Sequence, residues 1–362
     1  MPSAHIIVEN AIKESFRVAA MRGLFDVESG SKNKHEWDID IPIENTQWNV
    51  GLIVGASGSG KTVCAKQLFG DKYYHHGFKW SRNSILDDFP KNLSIQEITN
   101  LLSHVGFSSP PSWTKPFHIL SNGQKFRVEL ARILVSKQMV IIDEFTSVID
   151  RNVAQIGSFA VSKTAKKLNK QIVCVSCHRD IIEWLEPDWT YDMDSKEFSR
   201  RLLRRPNIEL QLFRADKTAW ELFKEHHYLT SSLSKTAQCY ICFWRNIPVA
   251  FTSTVNMIGF KKSVREHRTV VLPDYQGVGI GNSVSSMIAE ITIDRGYRFY
   301  STTSHPAFTQ GRIKDPKWRL CRKPSRTGKD KMNKNNTDAT RRLTAGFEYI
   351  GQPNKGAGIT RI

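Results

Sequence analysis

The sequence predicts an α/β fold in two domains: a parallel-sheet domain built around a phosphate-binding loop, then an α+β domain. Three observations carry this expectation. The run Gly55-Ala56-Ser57-Gly58-Ser59-Gly60-Lys61-Thr62 joins the strand-like Leu52-Ile53-Val54 to the helix-like stretch from Val63 to Phe69. The apolar run Met139-Val140-Ile141-Ile142 ends in Asp143-Glu144, as a strand buried on both faces would end at a ligand. A second strand, glycine loop and helix recur from Arg268 to Asp294, in a half of the chain with a different charge balance.

The first run fits G-x-x-x-x-G-K-[ST], the P-loop pattern. Its residues Gly55, Ser57, Gly58, Ser59 and Gly60 let successive amides face phosphates at the positive end of the following helix. Lys61 would reach the β and γ phosphates of ATP, and Thr62 would ligate Mg²⁺. Asp143 suits Mg²⁺ through water, and Glu144 is placed to orient or deprotonate an attacking water. Between them lies Leu120-Ser121-Asn122-Gly123-Gln124, ahead of a helix reaching Val135. A lone His178 follows the strand-like stretch from Gln171 to Ser176.

These residues, in this order, resemble the ABC-type ATPases over roughly residues 14 to 195. Leu120 to Gln124 resembles the signature motif, with Asn122 where glycine is usual. Ser147-Val148-Ile149-Asp150 resembles the D-loop and His178 the switch histidine. The resemblance implies a homodimer with two ATP molecules sandwiched between the P-loop of one copy and Ser121, Gly123 and Gln124 of the other. Two departures stand out. No glutamine lies between Gln67 and Gln96, so the expected Q-loop residue is replaced, with the neighbourhood of Trp80 as the candidate place. The segment between P-loop and signature is also short for the helical arm that transporters use. Phe16, Phe25 and Trp37 are the candidate adenine-stacking aromatics.

At 362 residues, 40% hydrophobic and 24% charged, the chain predicts a globular protein of two domains. No stretch approaches the roughly 18 apolar residues of a membrane span, and the N-terminus lacks a charged region followed by an apolar one, so no membrane partner and a cytoplasmic location are expected. Cys174 with Cys177, and Cys239 with Cys242, have C-x-x-C spacing. Both pairs fall in or against strand-like runs, where residues three apart face opposite sides, so free thiols are expected rather than a zinc site.

Charge divides the chain. Residues 1 to 204 carry 26 Lys and Arg against 23 Asp and Glu, whereas residues 205 to 362 carry 26 against 12, holding +14 of the total +17. The stretch from Ser199 to Pro206 is the expected boundary, giving domains 1–204 and 205–362. In the second, Cys239 to Trp244 and Val249 to Val255 read as paired strands around a turn at Arg245 to Pro248. After the strand Arg268 to Leu272 comes the loop Gln276-Gly277-Val278-Gly279-Ile280-Gly281, then a helix from Asn282 and a strand from Gly296 to Thr302.

That loop resembles motif A, Q-x-x-G-x-G, of the GNAT acetyltransferases, a resemblance covering about residues 207 to 310. It implies a GNAT-like acyltransferase domain in which Gln276 to Gly281 bind the pyrophosphate of acetyl-CoA and a parting of strands exposes the thioester. Glu266, His267, His227 and Tyr228 are candidates for the groups that move protons. The helix that usually follows the next strand is expected to be replaced by Ser304-His305-Pro306-Ala307-Phe308, leaving the acid unassigned. From Gly311 to Arg342 there are 12 Lys and Arg against 3 Asp and Glu, with Trp318 among them, a composition suited to nucleic acid.

The expectation is therefore an ABC-type ATPase fused to a GNAT-like acyltransferase that modifies DNA or RNA. His227-Tyr228-Leu229 and the strands after it loosely resemble the Mom DNA-modification proteins. The rival expectations are a DNA-binding or repair ATPase with a non-catalytic GNAT-like domain, and a transporter ATPase.

Overall fold

The computed structural model describes residues 3–10, 13–25, 33–44, 46–200, 208–227, 231–326 and 343–353. Through the first 76 residues the order is β1 (Ser3–Asn10), α1 (Phe16–Phe25), β2 (Asn33–Asp40), β3 (Val50–Val54) and α2 (Lys61–Phe69). Then follow α3 (Ile95–His104), α4 (Pro110–Trp113), α5 (Asn122–Ser136), β4 (Met139–Ile142), α6 (Arg151–Lys167), β5 (Gln171–Ser176), α7 (Ile181–Leu185), β6 (Trp189–Asp192) and β7 (Glu197–Arg200). The remainder comprises β8 (Gln211–Ala215), β9 (Gln238–Trp244), β10 (Ile247–Asn256), β11 (Ser263–Val271), α8 (Ile280–Asp294), β12 (Arg298–Thr303), α9 (Pro306–Lys314), β13 (Trp318–Arg326) and β14 (Leu343–Tyr349).

These elements form two compact units, and the units do not follow the linear division at residue 204. The first comprises Met1–His76, Lys137–Ser147 and Ala165–Leu203; the second comprises Gly77–Ser136, Val148–Thr164 and Arg204–Ile362. Helices α3, α4 and α5, between α2 and β4, thus belong with the C-terminal sheet. The expected join, Ser199 to Pro206, falls largely outside the described residues.

The first unit carries a five-stranded sheet in the order β4-β5-β3-β6-β7, parallel except for β7. Every residue of β3 is buried, which suits its unbroken apolar sequence at the centre of a parallel sheet. Gly51 makes room there for Trp189, whose ring would lie 1.9 Å from an added Cβ. Trp189 in turn stacks on Phe69 of α2, fixing the helix that follows the P-loop against the sheet.

The second unit carries a seven-stranded sheet in the order β13-β14-β12-β11-β10-β9-β8. All neighbours are antiparallel except β11 and β12. The β9–β10 turn is tighter than the sequence suggests: Ile247 already pairs with Trp244, and the two turn residues Arg245 and Asn246 both have positive φ, as a type I′ hairpin requires. Helix α9 corrects another expectation, because Pro306 at its first position starts a helix where the sequence suggested an interruption. Trp318 is buried in β13 with its indole N–H on Ser286 Oγ, so it is a core residue rather than a stacking aromatic in a tail. The rest of the basic stretch, 327–342, lies outside the described residues.

Where β11 and β12 run side by side, only three residue pairs register, Ser263 to Arg265 with Arg298 to Tyr300. Beyond them a buried polar cluster spans the gap. Glu266 accepts hydrogen bonds from Thr269 Oγ1 (2.5 Å), Ser301 Oγ (2.5 Å) and Arg312 Nη2 (2.7 Å), and Arg312 also donates to Ser301 and Ser285. Burial pushes the Glu266 carboxyl up, but Arg312 and the two hydroxyls together hold it below its ordinary value. Arg312 is 1% exposed, so its removal strands a carboxylate in the core. Arg312→Met is expected to cost about 3–5 kcal/mol in urea unfolding. The double variant with Glu266→Gln should recover part of that loss, and additive losses would refute the pairing.

Candidate functional site

The P-loop leaves the C-terminal end of β3, where open α/β sheets place their ligands. Gly58 has φ +80° and Gly60 φ +85°, conformations that side chains resist. Gly60 also lies under Trp37, whose ring would stand 2.5 Å from an added Cβ. Of the three candidate stacking aromatics, Trp37 is the one packed on the loop, whereas Phe16 and Phe25 on α1 are 90% and 73% exposed. The loop's first amide, Ala56 N–H, donates to Asp194, which also pairs with Arg179 at 2.8 Å. That anchor was not foreseen, because Asp194 sits far downstream with no motif around it.

Lys61 arches back over the loop, its Nζ donating to Ala56 O at 2.5 Å, so the ammonium stands among the amides that would face phosphate. Thr62 Oγ1 donates to Asp143 Oδ2 at 2.7 Å, bringing the two expected metal residues together. Glu144 N–H donates to Asp143 Oδ1 at 2.8 Å, and Glu144 itself is exposed with φ +47°. His178 follows β5, its amide capped by Ser176 Oγ at 3.2 Å.

A hydroxyl and a carboxylate are hard oxygen donors that suit Mg²⁺, which takes few protein ligands and completes its shell with phosphate and water. Among the described residues no group of three or more His, Cys, Asp or Glu could hold a metal by itself, and the C-x-x-C cysteines are free thiols.

Two residues change place relative to the sequence reading. Trp80, the neighbourhood proposed for the missing glutamine, stacks on Phe117 at 4.3 Å and donates to Glu129, so it is packed within the second unit. Tyr74, which carries no motif, donates its phenol to Asp143 Oδ2 at 3.0 Å. Burial and Asp143 raise its pKa to about 12, keeping the phenol protonated as a donor.

The signature-like segment is the N-terminus of α5. Ser121 Oγ accepts from Gln124 N–H and Gln124 Oε1 accepts from Ser121 N–H, a reciprocal capping box. Gly123 admits Val153 of α6, whose Cγ1 would lie 3.1 Å from an added Cβ. One turn further, Arg127 is 2% exposed and donates to the carbonyls of Gly106, Pro273 and Asp274.

This brings the second glycine loop onto the page in an unexpected setting. Gln276 Oε1 accepts from Ser108 N–H at 3.0 Å while its Nε2 donates to Val271 O. Gly277, at φ +97°, would place a Cβ 2.5 Å from Gly106 Cα. Both residues are therefore engaged in packing, which corrects their assignment to an open pyrophosphate cradle. Val278 and Gly279 lead into α8, which begins at Ile280 and contains Gly281.

Of the proton-moving candidates, Glu266 is buried and held in its ionised form by its pairing with Arg312 and two hydroxyls, which removes it as a base. His267 lies at a β-bulge, where β11 gains one residue opposite Ser253 and Thr254 of β10. Its Nε2 accepts from Ser234 N–H at 3.2 Å, so in the neutral ring Nδ1 carries the proton. Burial, with Arg268, Arg265 and His227 nearby, pushes its pKa down to about 4. The nitrogen that would take a proton is thus already occupied. His227 packs edge-on against Trp220 at 5.7 Å, and Tyr228 lies outside the described residues.

No protein-family model and no curated protein matches the chain. Among solved structures it is similar to CbiO1 from Clostridium perfringens, part of the ABC transporter complex CbiONQ. That likeness has 19% identity and a TM-score of 0.33, over 44% of this chain and 76% of that one. It is also similar to the dimeric ABC transporter cassette MJ0796, at 13% identity and TM-score 0.36, over 46% of this chain and 90% of that one. For the post-hydrolysis dimer of that cassette with ADP and Pi, the values are 14% and 0.36, over 50% and 96%. Among the described residues no helix is long and apolar enough to cross a membrane.

The His267 environment predicts a pH effect. The ring titrates near 6.5 when unfolded and near 4 when folded, so between those values the unfolded chain binds more protons. Stability should fall as pH drops from 6.5 towards 4. His267→Gln should fall less over that window in urea titrations; an identical pH slope would show that the ring is not the group responsible.

Proposed function

We propose that this chain is an ABC-type ATPase coupled to a GNAT-like acyltransferase that acts on nucleic acid. The observation that carries the ATPase half is the 2.7 Å bond from Thr62 to Asp143, which joins the end of the P-loop to the acid at the end of β4. Loop amides and Lys61 hold the β and γ phosphates of ATP. Thr62 and Asp143 hold Mg²⁺, which when bound neutralises phosphate oxygens. Glu144 orients the attacking water and His178 contacts the γ-phosphate. Ser121 and the amides near Gly123 serve the nucleotide of a second copy, making the active form a homodimer.

The acyltransferase half is supported by the strand arrangement of the second unit. An antiparallel run from β8 to β11 meets one parallel partner, β12, and the two register over three pairs before parting. The loop after β11 opens α8, whose first turn offers amides to the acetyl-CoA pyrophosphate. Acetyl-CoA held there would supply a thioester to a base amine: a C–N bond would form, the C–S bond would break, and the proton lost by the amine would balance the one gained by the leaving thiolate. His227 and His267 remain the candidates for moving that proton, His267 with its Nε2 already accepting from Ser234. The net charge of +14 on residues 205–362, with exposed Lys261, Lys262 and Arg265, favours a polyanionic substrate.

A second reading has specific support. Glu266 locked in a core ion pair with Arg312, and Gln276 and Gly277 committed to packing, fit a nucleic-acid-binding ATPase whose C-terminal domain performs no chemistry.

Glu144→Gln is expected to retain ATP binding, accumulate as dimer in sizing chromatography and lose at least 100-fold in hydrolysis, while Lys61→Ala loses both binding and turnover. Equal hydrolysis by Glu144→Gln would sink the assignment of that residue. Calorimetry of the wild type with acetyl-CoA separates the two readings of the C-terminal domain: binding supports transfer, and its absence supports the non-catalytic role.

A further inference from the structure

The geometry points to Tyr74 as the residue that positions Asp143 for Mg²⁺·ATP. This rests on the ATPase reading and is independent of any acyl transfer. Tyr74 lies beyond α2, where it forms an isolated parallel bridge with Ile141 of β4, and His75 N–H donates to Ile141 O at 3.0 Å. The chain between α2 and α3 is thereby laid along β4, two residues before Asp143. From there the phenol reaches across to the carboxylate.

Three donors then fix one acid. Oδ2 of Asp143 accepts from Thr62 Oγ1 at 2.7 Å and from Tyr74 Oη at 3.0 Å, while Oδ1 accepts from Glu144 N–H at 2.8 Å. A carboxylate has about four acceptor positions, so this set orients Asp143 without exhausting it. Thr62 supplies a single hydroxyl proton and uses it on Asp143, which leaves its lone pairs available to a cation. If a cation draws that hydroxyl aside, Tyr74 and the Glu144 amide still hold the carboxylate in place. Lys66 Nζ lies 3.8 Å from the Tyr74 ring centroid and the His76 ring 4.7 Å away, so the phenol is held through its ring as well as its hydroxyl. Those ring contacts survive a change to phenylalanine.

The test uses the full chain. ATP affinity is measured by calorimetry in EDTA and across a Mg²⁺ titration, and Mn²⁺ binding in the presence of ATP is followed by electron paramagnetic resonance. Tyr74→Phe should bind ATP in EDTA like the wild type but need about tenfold more Mg²⁺ or Mn²⁺ for half saturation, the usual scale for losing an orienting partner of a metal-holding group. In an Asp143→Asn background the same change should have no further effect. An unchanged divalent-ion requirement, a loss of ATP binding in EDTA, or full additivity with Asp143→Asn would each reduce Tyr74 to packing and overturn the inference. If the wild type binds no ATP under any condition, the ATPase reading fails first, and that result differs visibly from the other three.

Discussion

A guanidinium buried without a carboxylate governs the second unit. Arg127 is 2% exposed, and its donors meet the carbonyls of Gly106 (3.3 Å), Pro273 (2.5 Å) and Asp274 (3.0 Å). Burial lowers its pKa to about 10 while Asp274 opposes the shift, so it stays charged at neutral pH. Its charge is met mainly by carbonyl dipoles, and those carbonyls would be left undersatisfied if it were withdrawn. Helix α5, the loop after α3 and the approach to α8 are consequently one packed body. His305 adds to it, with Nε2 3.0 Å from Ser108 O and its pKa lowered by burial.

That constraint explains why two glycine-rich loops with similar sequences do different work. Gly58 has open space around an added Cβ and needs glycine for its backbone conformation alone. Gly277 has both a positive φ and the backbone of Gly106 pressed against it, so it also lets two chain segments touch. Sequence records glycine in both cases, and only the surroundings tell open space at Gly58 from packed backbone at Gly277.

The residues most readable in advance were those whose role is local. Gly55 to Thr62 turn and cap their own helix, Met139 to Ile142 form a buried strand because every side chain is apolar, and Asp143 follows from the strand's end. What escaped depends on contacts far apart in the chain. Arg127, Asp194 and Tyr74 carry no motif, and the partners that give them their roles lie 146, 138 and 69 residues away. Glu266 shows the converse error. Next to a motif strand it reads as a base, but 46 residues later Arg312 turns it into half of a core ion pair. Residues 77–136 group with the C-terminal sheet for the same reason, while the chain passes for the last time from the first unit to the second between Leu203 and Arg204, beside the expected division.

The composition of the second unit bears on how nucleotide and acyl chemistry could communicate under the proposed function. Under that proposal Ser121, which caps α5, would be offered to the γ-phosphate of a second copy, and Arg127 lies within the helix it caps. An α-helix of this length transmits a displacement of its first turn with little loss, because its backbone bonds are internally satisfied. Any movement of Ser121 towards a phosphate therefore carries Arg127 with it, and through Arg127 the carbonyls of Pro273 and Asp274. Gln276 and Gly277 follow directly, and both are gripped by the Gly106–Ser108 segment of the same body. The loop would then loosen only if Ser108 and Gly106 shift relative to it, a two-state change of packed backbone rather than a gradual one. The packing that occupies Gln276 and Gly277 is thus tied to the head of α5 through Arg127, not through the sequence of the loop itself.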